Sequence, residues 1–135
     1  MKNNKLTYGA SVFDFDETVG FSDNVVYATK DGNTINITSD EWPKIGEKMI
    51  SDGWVMDFTD FNRVTNGTPG PLISKLKNQI SKYGNEWVYI LTARHSDSER
   101  AIYNWLLSQN IKLKQENIVG LGNSTGEAKA KWIQE

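Results

Sequence analysis

Two aspartates, Asp14 and Asp16, follow a short apolar run and are separated only by Phe15. A buried strand does not ordinarily end in carboxylates, so this placement is the first sign of a functional site. Two carboxylates this close repel each other unless a cation lies between them or one is protonated. A hard cation such as Mg²⁺ accepts such oxygens, which makes both residues candidate metal ligands. The alternative is a solvated acidic turn.

The same pair suggests a reaction on phosphorus. A metal-bound Asp14 is a candidate covalent nucleophile. Asp16 is then placed to protonate the leaving oxygen and later to activate water.

Two further groups follow later predicted strands. The Thr92 hydroxyl is a candidate for holding a phosphoryl oxygen, and the planar guanidinium of Arg94 for contacting a substrate phosphate. The ammonium of Lys129 is a candidate for neutralising Asp14 and the transferring phosphoryl group. Lys131 is the alternative, because residues two apart on a helix point to different sides and only one can face the site. Taken singly, each of these residue types is ordinarily a turn or solvated residue.

The elements that must position these groups alternate along the chain. Apolar runs predict buried strands over 8–15, 87–91 and 118–121. Helices are predicted over 71–83, with Pro71 in the first turn and Gly84 as the cap, and after two capping boxes, Ser96 with Glu99 and Ser124 with Glu127. This alternation predicts an α/β fold with a parallel sheet covered by helices on both faces. Ligands of such sheets bind outside the carboxyl ends of the strands, where all three groups fall.

Residues 20–70, called the insert below, have a different pattern. Strand-like runs over 25–29 and 33–38 flank Lys30-Asp31-Gly32, and Asp-Gly predicts a tight hairpin turn. A helix over 39–51 ended by Gly53, a short strand over 54–58 and a linker over 66–71 are also predicted. The aromatic residues of the insert are interpreted as its own small core. Stacking on a nucleobase is the alternative.

Taken together, the motifs resemble those of a known family. Val12-Phe-Asp14-Phe-Asp16-Glu-Thr18-Val resembles the first motif of the haloacid-dehalogenase-like hydrolases, Leu91-Thr92-Ala-Arg94 their second, and Lys129 their third. Their order and spacing match across the chain apart from the insert. The resemblance implies a Rossmann-like core over 1–19 and 71–135, with the insert as a small C1-type cap that closes over the site and selects the substrate.

The same resemblance implies an activity. It implies a Mg²⁺-dependent phosphatase with an aspartyl-phosphate on Asp14, acid–base catalysis by Asp16 and metal ligation through the Asp16 backbone carbonyl. Substrate contacts are implied for Thr18, Ala93 and Arg94. The expected substrate is a phosphorylated small molecule, and a nucleotide or a nucleic-acid end is the alternative.

The resemblance lacks one part of the family pattern. The family has a fourth motif, acidic residues that end a further strand and complete the metal site, and no such strand follows Lys129. In the family this strand lies beside the first, so an unpaired edge is expected there. A truncated chain with an impaired metal site is the favoured explanation. The alternatives are a homodimer paired through that edge, and completion of the site by Asp57 or Asp60. A catalytically impaired phosphate-binding or regulatory module is the corresponding alternative function.

Composition limits the remaining possibilities. The 135 residues carry a net charge of −2, so no global basic field attracts nucleic acid. The absence of cysteine excludes disulfides, thiolate metal sites and a cysteine nucleophile. The polar N-terminus and the lack of a long apolar run predict neither a signal peptide nor a membrane span, so a cytoplasmic location is expected. His95, the only histidine, is interpreted as structural or merely exposed, with contact to a substrate phosphate as the alternative.

Overall fold

The computed structural model describes residues 11–122, and every structural statement below concerns that range. The strands are β1 (Ser11–Asp14), β2 (Gly20–Phe21), β3 (Val25–Lys30), β4 (Asn33–Thr38), β5 (Val55–Asp57), β6 (Thr68–Pro69), β7 (Val88–Thr92) and β8 (Ile118–Gly120). The helices are α1 (Trp42–Ser51), α2 (Ile73–Tyr83) and α3 (Glu99–Ser108). Short 3-10 turns cover Thr59–Asn62, Asn85–Trp87, Ser96–Ser98 and Gln115–Asn117. The predictions for Ser124, Glu127, Lys129 and Lys131 lie outside the described residues.

The chain forms a mixed α/β fold around a small parallel sheet. The strand order is β1-β7-β8, and both neighbouring pairs are parallel. The helix α2 precedes β7, and α3 precedes β8. Both helices pack their apolar faces against the sheet, and their residues Leu76 and Ile102 are fully buried in the shared core. The strand–helix alternation therefore predicted the parallel sheet correctly.

Two helix starts differ from the sequence-based expectation. The helix α2 begins at Ile73, so Pro71 precedes it instead of lying in its first turn, whereas Gly84 caps its end as expected, with a φ of 82°. The capping box of Ser96 with Glu99 does not form, and Ser98 is the residue directly before α3. The Glu99 carboxylate instead accepts the backbone N–H of Gly120 at 2.9 Å.

The insert forms a second, antiparallel sheet of order β4-β3-β5. The predicted hairpin is confirmed: Asp31 and Gly32 both have positive φ, 52° and 80°, as a type I′ turn requires. Val26 and Ile37 form a small buried cluster against which α1 packs through Trp42. The insert therefore has its own hydrophobic core, as its aromatic content predicted.

A two-residue ladder joins the insert to the parallel sheet. The strand β2 pairs antiparallel with β6, so part of the predicted 66–71 linker is a strand. Any side chain on Gly67 would meet the indole of Trp105, and a Cβ on Gly70 would lie 2.5 Å from the Thr18 carbonyl oxygen. Only glycine fits at these positions. The β2–β6 ladder with its flanking glycines, called the neck below, is therefore closely packed against α3 and the loop after β1.

Among the described residues, β7 is the only strand that pairs with β1. Within residues 11–122 the other side of β1 is thus an open edge, and the expectation that it is unpaired in the whole chain stays a prediction. Pairing of two copies through this edge remains a prediction. None of the helices within 11–122 combines the length and the apolar character needed to cross a bilayer.

Candidate active site

Two predicted site residues lie at the carboxyl ends of adjacent strands. The register pairs Asp14 on β1 with Leu91 on β7, so Thr92 is one residue further along. Asp14 is exposed, whereas only 2% of Thr92 is exposed. The parallel sheet therefore brings together the first and second motifs, which are 78 residues apart.

The chain turns sharply directly after Asp14. The strand β1 ends there, not at Phe15, and the buried ring of Phe15 anchors the turn. The Phe15 carbonyl accepts hydrogen bonds from three successive backbone N–H groups, those of Thr18, Val19 and Gly20. This tight turn directs Asp16 toward the loop that follows β7.

There the Asp16 carboxylate meets the guanidinium of Arg94. Nε donates to Oδ2 at 2.9 Å, and Nη2 donates to Oδ1 at 2.7 Å. The Arg94 side chain is only 2% exposed and that of Asp16 is 24% exposed, so the guanidinium is shielded from water while the carboxylate keeps partial access to it. The positive charge beside the two aspartates thus comes partly from an arginine of the second motif. The sequence did not reveal this, because the two residues are distant along the chain.

The other donors of Arg94 are also occupied by the protein. Nη1 donates to the carbonyls of Phe61 and Arg63 at 3.1 and 2.7 Å, and Nη2 to Ser22 Oγ at 3.1 Å. The sequence predicted that Arg94 contacts a substrate phosphate. In this geometry a phosphate would have to displace one of these acceptors, because the five N–H donors of the guanidinium are used.

Thr92 is held by backbone contacts around the end of β8. Its Oγ accepts the N–H of Arg94 at 3.1 Å, which leaves the hydroxyl hydrogen available to donate to a bound oxyanion. The N–H of Leu121 donates to the Thr92 carbonyl at 2.8 Å. Ala93 is exposed beside it.

His95 caps the next turn by accepting the Asp97 N–H on Nδ1 at 3.2 Å, which agrees with its structural interpretation.

A groove of about 450 Å³ runs from Asp14 along the open edge of β1. Its other walls are formed by Thr18, Leu72, Lys75 and Gln79. Thr18 was predicted to contact substrate, and the groove gives it access to one. From the sequence alone, Lys75, Lys77 and Lys82 are predicted to form the solvated face of the helix over 71–83. Residues 72, 75 and 79 are spaced as i, i+3 and i+7, so they share one face of a helix. This spacing could have indicated that Lys75 lies on the same side of α2 as the other groove residues.

The fit of a metal ion depends on the oxygens at the end of β1. Mg²⁺ is commonly bound by one or two carboxylates together with waters and substrate phosphates. The exposed carboxylate of Asp14 suits that chemistry. A metal ion at the Asp16 carboxylate would compete with the guanidinium of Arg94 for its oxygens. Residues 11–122 contain no group of three or more His, Cys, Asp or Glu side chains arranged to hold a metal ion.

The two insert aspartates considered as additional ligands have local partners. Asp57 accepts both the backbone N–H and the hydroxyl of Thr59, and these bonds lower its pKa. Burial raises the pKa of Asp60, but hydrogen bonds from the Val25 N–H, Arg63 and Asn24 lower it more, so the pKa of Asp60 lies below its ordinary value. Both carboxylates therefore stabilise the insert locally.

Lys129, the third predicted group, lies outside the described residues. A scan against protein-family models returns no match for this chain, and neither do searches of curated proteins and of solved structures.

Proposed function

We propose that this chain is a Mg²⁺-dependent phosphohydrolase of the haloacid-dehalogenase-like type, with a Rossmann-like core and the insert as its cap. The observation that carries the proposal is the placement of Asp14 and Thr92 at the ends of adjacent parallel strands. A carboxylate and a hydroxyl at one sheet edge are a nucleophile and a hydrogen-bond donor for the same phosphoryl group.

The groove beside Asp14 supports a small phosphorylated substrate. It begins at the exposed carboxylate and carries the ammonium of Lys75 on its wall. The described lining adds hydroxyl and amide groups from Thr18 and Gln79. These groups suit a polar leaving group, and the net charge of −2 favours a small molecule over a nucleic-acid end.

The proposed reaction has two displacements at phosphorus. An oxygen of Asp14 attacks the phosphorus of the ester, the bond to the leaving oxygen breaks, and that oxygen takes a proton from Asp16. Water then attacks the phosphorus of the acyl phosphate, its proton passes to Asp16, and the Asp14 carboxylate is released with inorganic phosphate. Bound Mg²⁺, held by Asp14 and the Asp16 backbone carbonyl, would supply charge neutralisation at the phosphoryl oxygens.

The decisive variant is Asp14→Asn, which keeps the shape of the side chain and removes the nucleophile. Turnover of p-nitrophenyl phosphate with Mg²⁺ is expected to fall by roughly a thousandfold or more. The matched control is Asp23→Asn, because Asp23 is an exposed aspartate of the insert that bonds Asn66. Its turnover should stay within about twofold of the unmodified protein. Equal turnover of Asp14→Asn and the unmodified protein would refute the proposal.

A phosphate-binding module without turnover is the second candidate. Two observations favour it: the pairing of the Asp16 carboxylate with Arg94, and the absence of a three-ligand metal cluster within 11–122. Incubation with ³²P-labelled acetyl phosphate and acid quenching separate the two functions. Covalent label on Asp14 supports the hydrolase, and reversible phosphate binding without label supports the module.

A further inference from the structure

The guanidinium of Arg94 lies between the parallel sheet and the insert. On one side it forms two hydrogen bonds to Asp16, and on the other it donates to the carbonyls of Phe61 and Arg63. Two rings fix its plane, because its Cζ lies 5.2 Å from the centroid of Phe15 and 4.7 Å from that of Phe61. Its orientation therefore depends on where the insert places residues 61–63.

The position of residues 61–63 depends in turn on a buried carboxylate. Asp60 is 8% exposed, and its Oδ2 accepts the backbone N–H of Val25 at 2.9 Å. Nε of Arg63 donates to Oδ1 of Asp60 at 2.9 Å, and Nδ2 of Asn24 donates to the backbone carbonyl oxygen of Asp60 at 2.8 Å. These bonds hold the 3-10 turn Thr59–Asn62 and the residue that follows it in place, and so position the carbonyls of Phe61 and Arg63 against Arg94.

We propose that Arg94 is a positioning residue that makes the placement of the Asp16 carboxylate depend on the insert, through the path Asp60, residues 61–63, Arg94 and Asp16. The inference rests on the proposed function, since it concerns the proton-transferring residue of that reaction. The Arg94 guanidinium is buried between two rings and bonded through both ends of its fork, so it has little freedom to reorient. Displacement of residues 61–63 therefore shifts the Asp16 carboxylate through the guanidinium.

The test uses Asp60→Asn, which perturbs the far end of this path, and two substrates. An alkyl phosphate needs a proton on its leaving oxygen, whereas p-nitrophenolate leaves without one. In Asp60→Asn the ratio of kcat for the alkyl ester to kcat for the aryl ester should fall roughly tenfold, with KM nearly constant. The matched control is Asp40→Asn, which removes an exposed insert carboxylate bonded to Thr38 and should leave the ratio unchanged.

Three results would overturn the inference: equal losses with both substrates, a rise in KM alone, or the same ratio in Asp60→Asn and Asp40→Asn. In a protein that already carries Asp16→Asn, adding Asp60→Asn should no longer change the ratio of the two kcat values, because the path ends at Asp16. If Asp60→Asn does not fold, Phe61→Leu replaces it, since this change removes one ring from the guanidinium and keeps Asp60 in place.

Failure of the proposed function gives a different pattern. If the unmodified protein hydrolyses neither substrate, the proposed function fails, and the path from Asp60 to Asp16 is tested by spectroscopy. The ¹³C resonance of the Asp16 carboxylate reports its surroundings without turnover. It should shift in Asp60→Asn and stay in place in Asp40→Asn, and an unshifted resonance in both variants would contradict the path.

Discussion

Ser39, which follows β4 in the insert, donates a hydrogen bond from Oγ to Oε2 of Glu17 at 3.0 Å. Glu17 belongs to the tight turn between the end of β1 and the β2–β6 neck, so the insert contacts this turn directly. The carbonyls of Phe61 and Arg63 make a second connection through Arg94. The insert therefore adjoins the candidate active site through two separate sets of hydrogen bonds.

The backbone of Glu17 is strained, which gives a stability prediction. Its φ of 64° lies in the left-handed region, which costs a residue with a Cβ about 1–2 kcal/mol. Starting from Ser39→Ala, which removes the hydrogen bond, a further Glu17→Gly change should raise the free energy of unfolding by about 1 kcal/mol. Urea denaturation followed by tryptophan fluorescence measures this value.

The control for Glu17→Gly is Glu47→Gly, because Glu47 lies inside α1. Glycine in a helix interior costs about 1 kcal/mol, so this variant should be less stable than its parent. A loss of stability of the same size in both variants would show that Glu17 is not strained.

The packing of the neck predicts a rescue by a second substitution. Any Cβ on Gly67 would meet the indole of Trp105, so Gly67→Ala should lower the free energy of unfolding by about 1–3 kcal/mol. Trp105→Leu makes room, and the double variant should be more stable than the sum of the two single effects predicts. Gly70→Ala is the control: its Cβ would meet the backbone of residues 18–20, which Trp105→Leu does not relieve.

Strictly additive effects in Gly67→Ala/Trp105→Leu would contradict this account of the neck. Thermal melting and urea denaturation of the unmodified protein, the two single variants and the double variant measure the coupling. The same coupling in the Gly70→Ala background would indicate a general loosening of α3 instead.

Local patterns in the sequence predicted local structure well. The Asp31-Gly32 pair predicted its turn because both positive φ angles are a property of two adjacent residues. The alternation of apolar runs also predicted the parallel sheet. The bond between Asp16 and Arg94 was not predictable, because it depends on the register of β1 with β7 and on an insert folded between them. The expected capping box at Glu99 failed for a similar reason, since Gly120, which is distant in sequence, supplies a competing donor.

The buried carboxylate of Asp60 predicts a pH dependence of stability. The hydrogen bonds that it accepts hold the pKa of Asp60 below its ordinary value of 3.8, in spite of burial, which acts in the opposite direction. A carboxyl group whose pKa is lower in the folded state stabilises the fold above the pKa of the unfolded state. This contribution disappears as the pH falls through the lower, folded-state pKa.

Asp60→Asn should therefore be less stable than the unmodified protein at pH 7, by about 1–3 kcal/mol. The difference should persist down to about pH 5 and shrink as the pH falls below 4. Urea denaturation at a series of pH values measures it, with Asp40→Asn as an exposed control. A difference that grows on acidification would contradict the sign of this dependence.

Lys75 provides a prediction about substrate binding. Its side chain lines the groove that begins at Asp14, whereas Lys77, two residues along α2, does not. Residues two apart on a helix point to different sides, which makes Lys77 a control of the same charge on the same element. Because Lys75 is exposed and its interaction with a phosphate dianion is screened by water, Lys75→Met should raise KM by about twofold to fivefold. Lys77→Met should leave KM unchanged.

Ionic strength separates a role of Lys75 in binding from a general effect of charge. If the ammonium attracts the substrate, KM of the unmodified protein rises with added salt, because salt screens exposed charges over about 10 Å at 0.1 M. In Lys75→Met this dependence should be weaker, and in Lys77→Met it should be retained. Steady-state kinetics of p-nitrophenyl phosphate hydrolysis at 20 to 300 mM salt, roughly the range over which screening sets in, measure both slopes. Parallel slopes in the two variants would place the substrate away from the groove along β1.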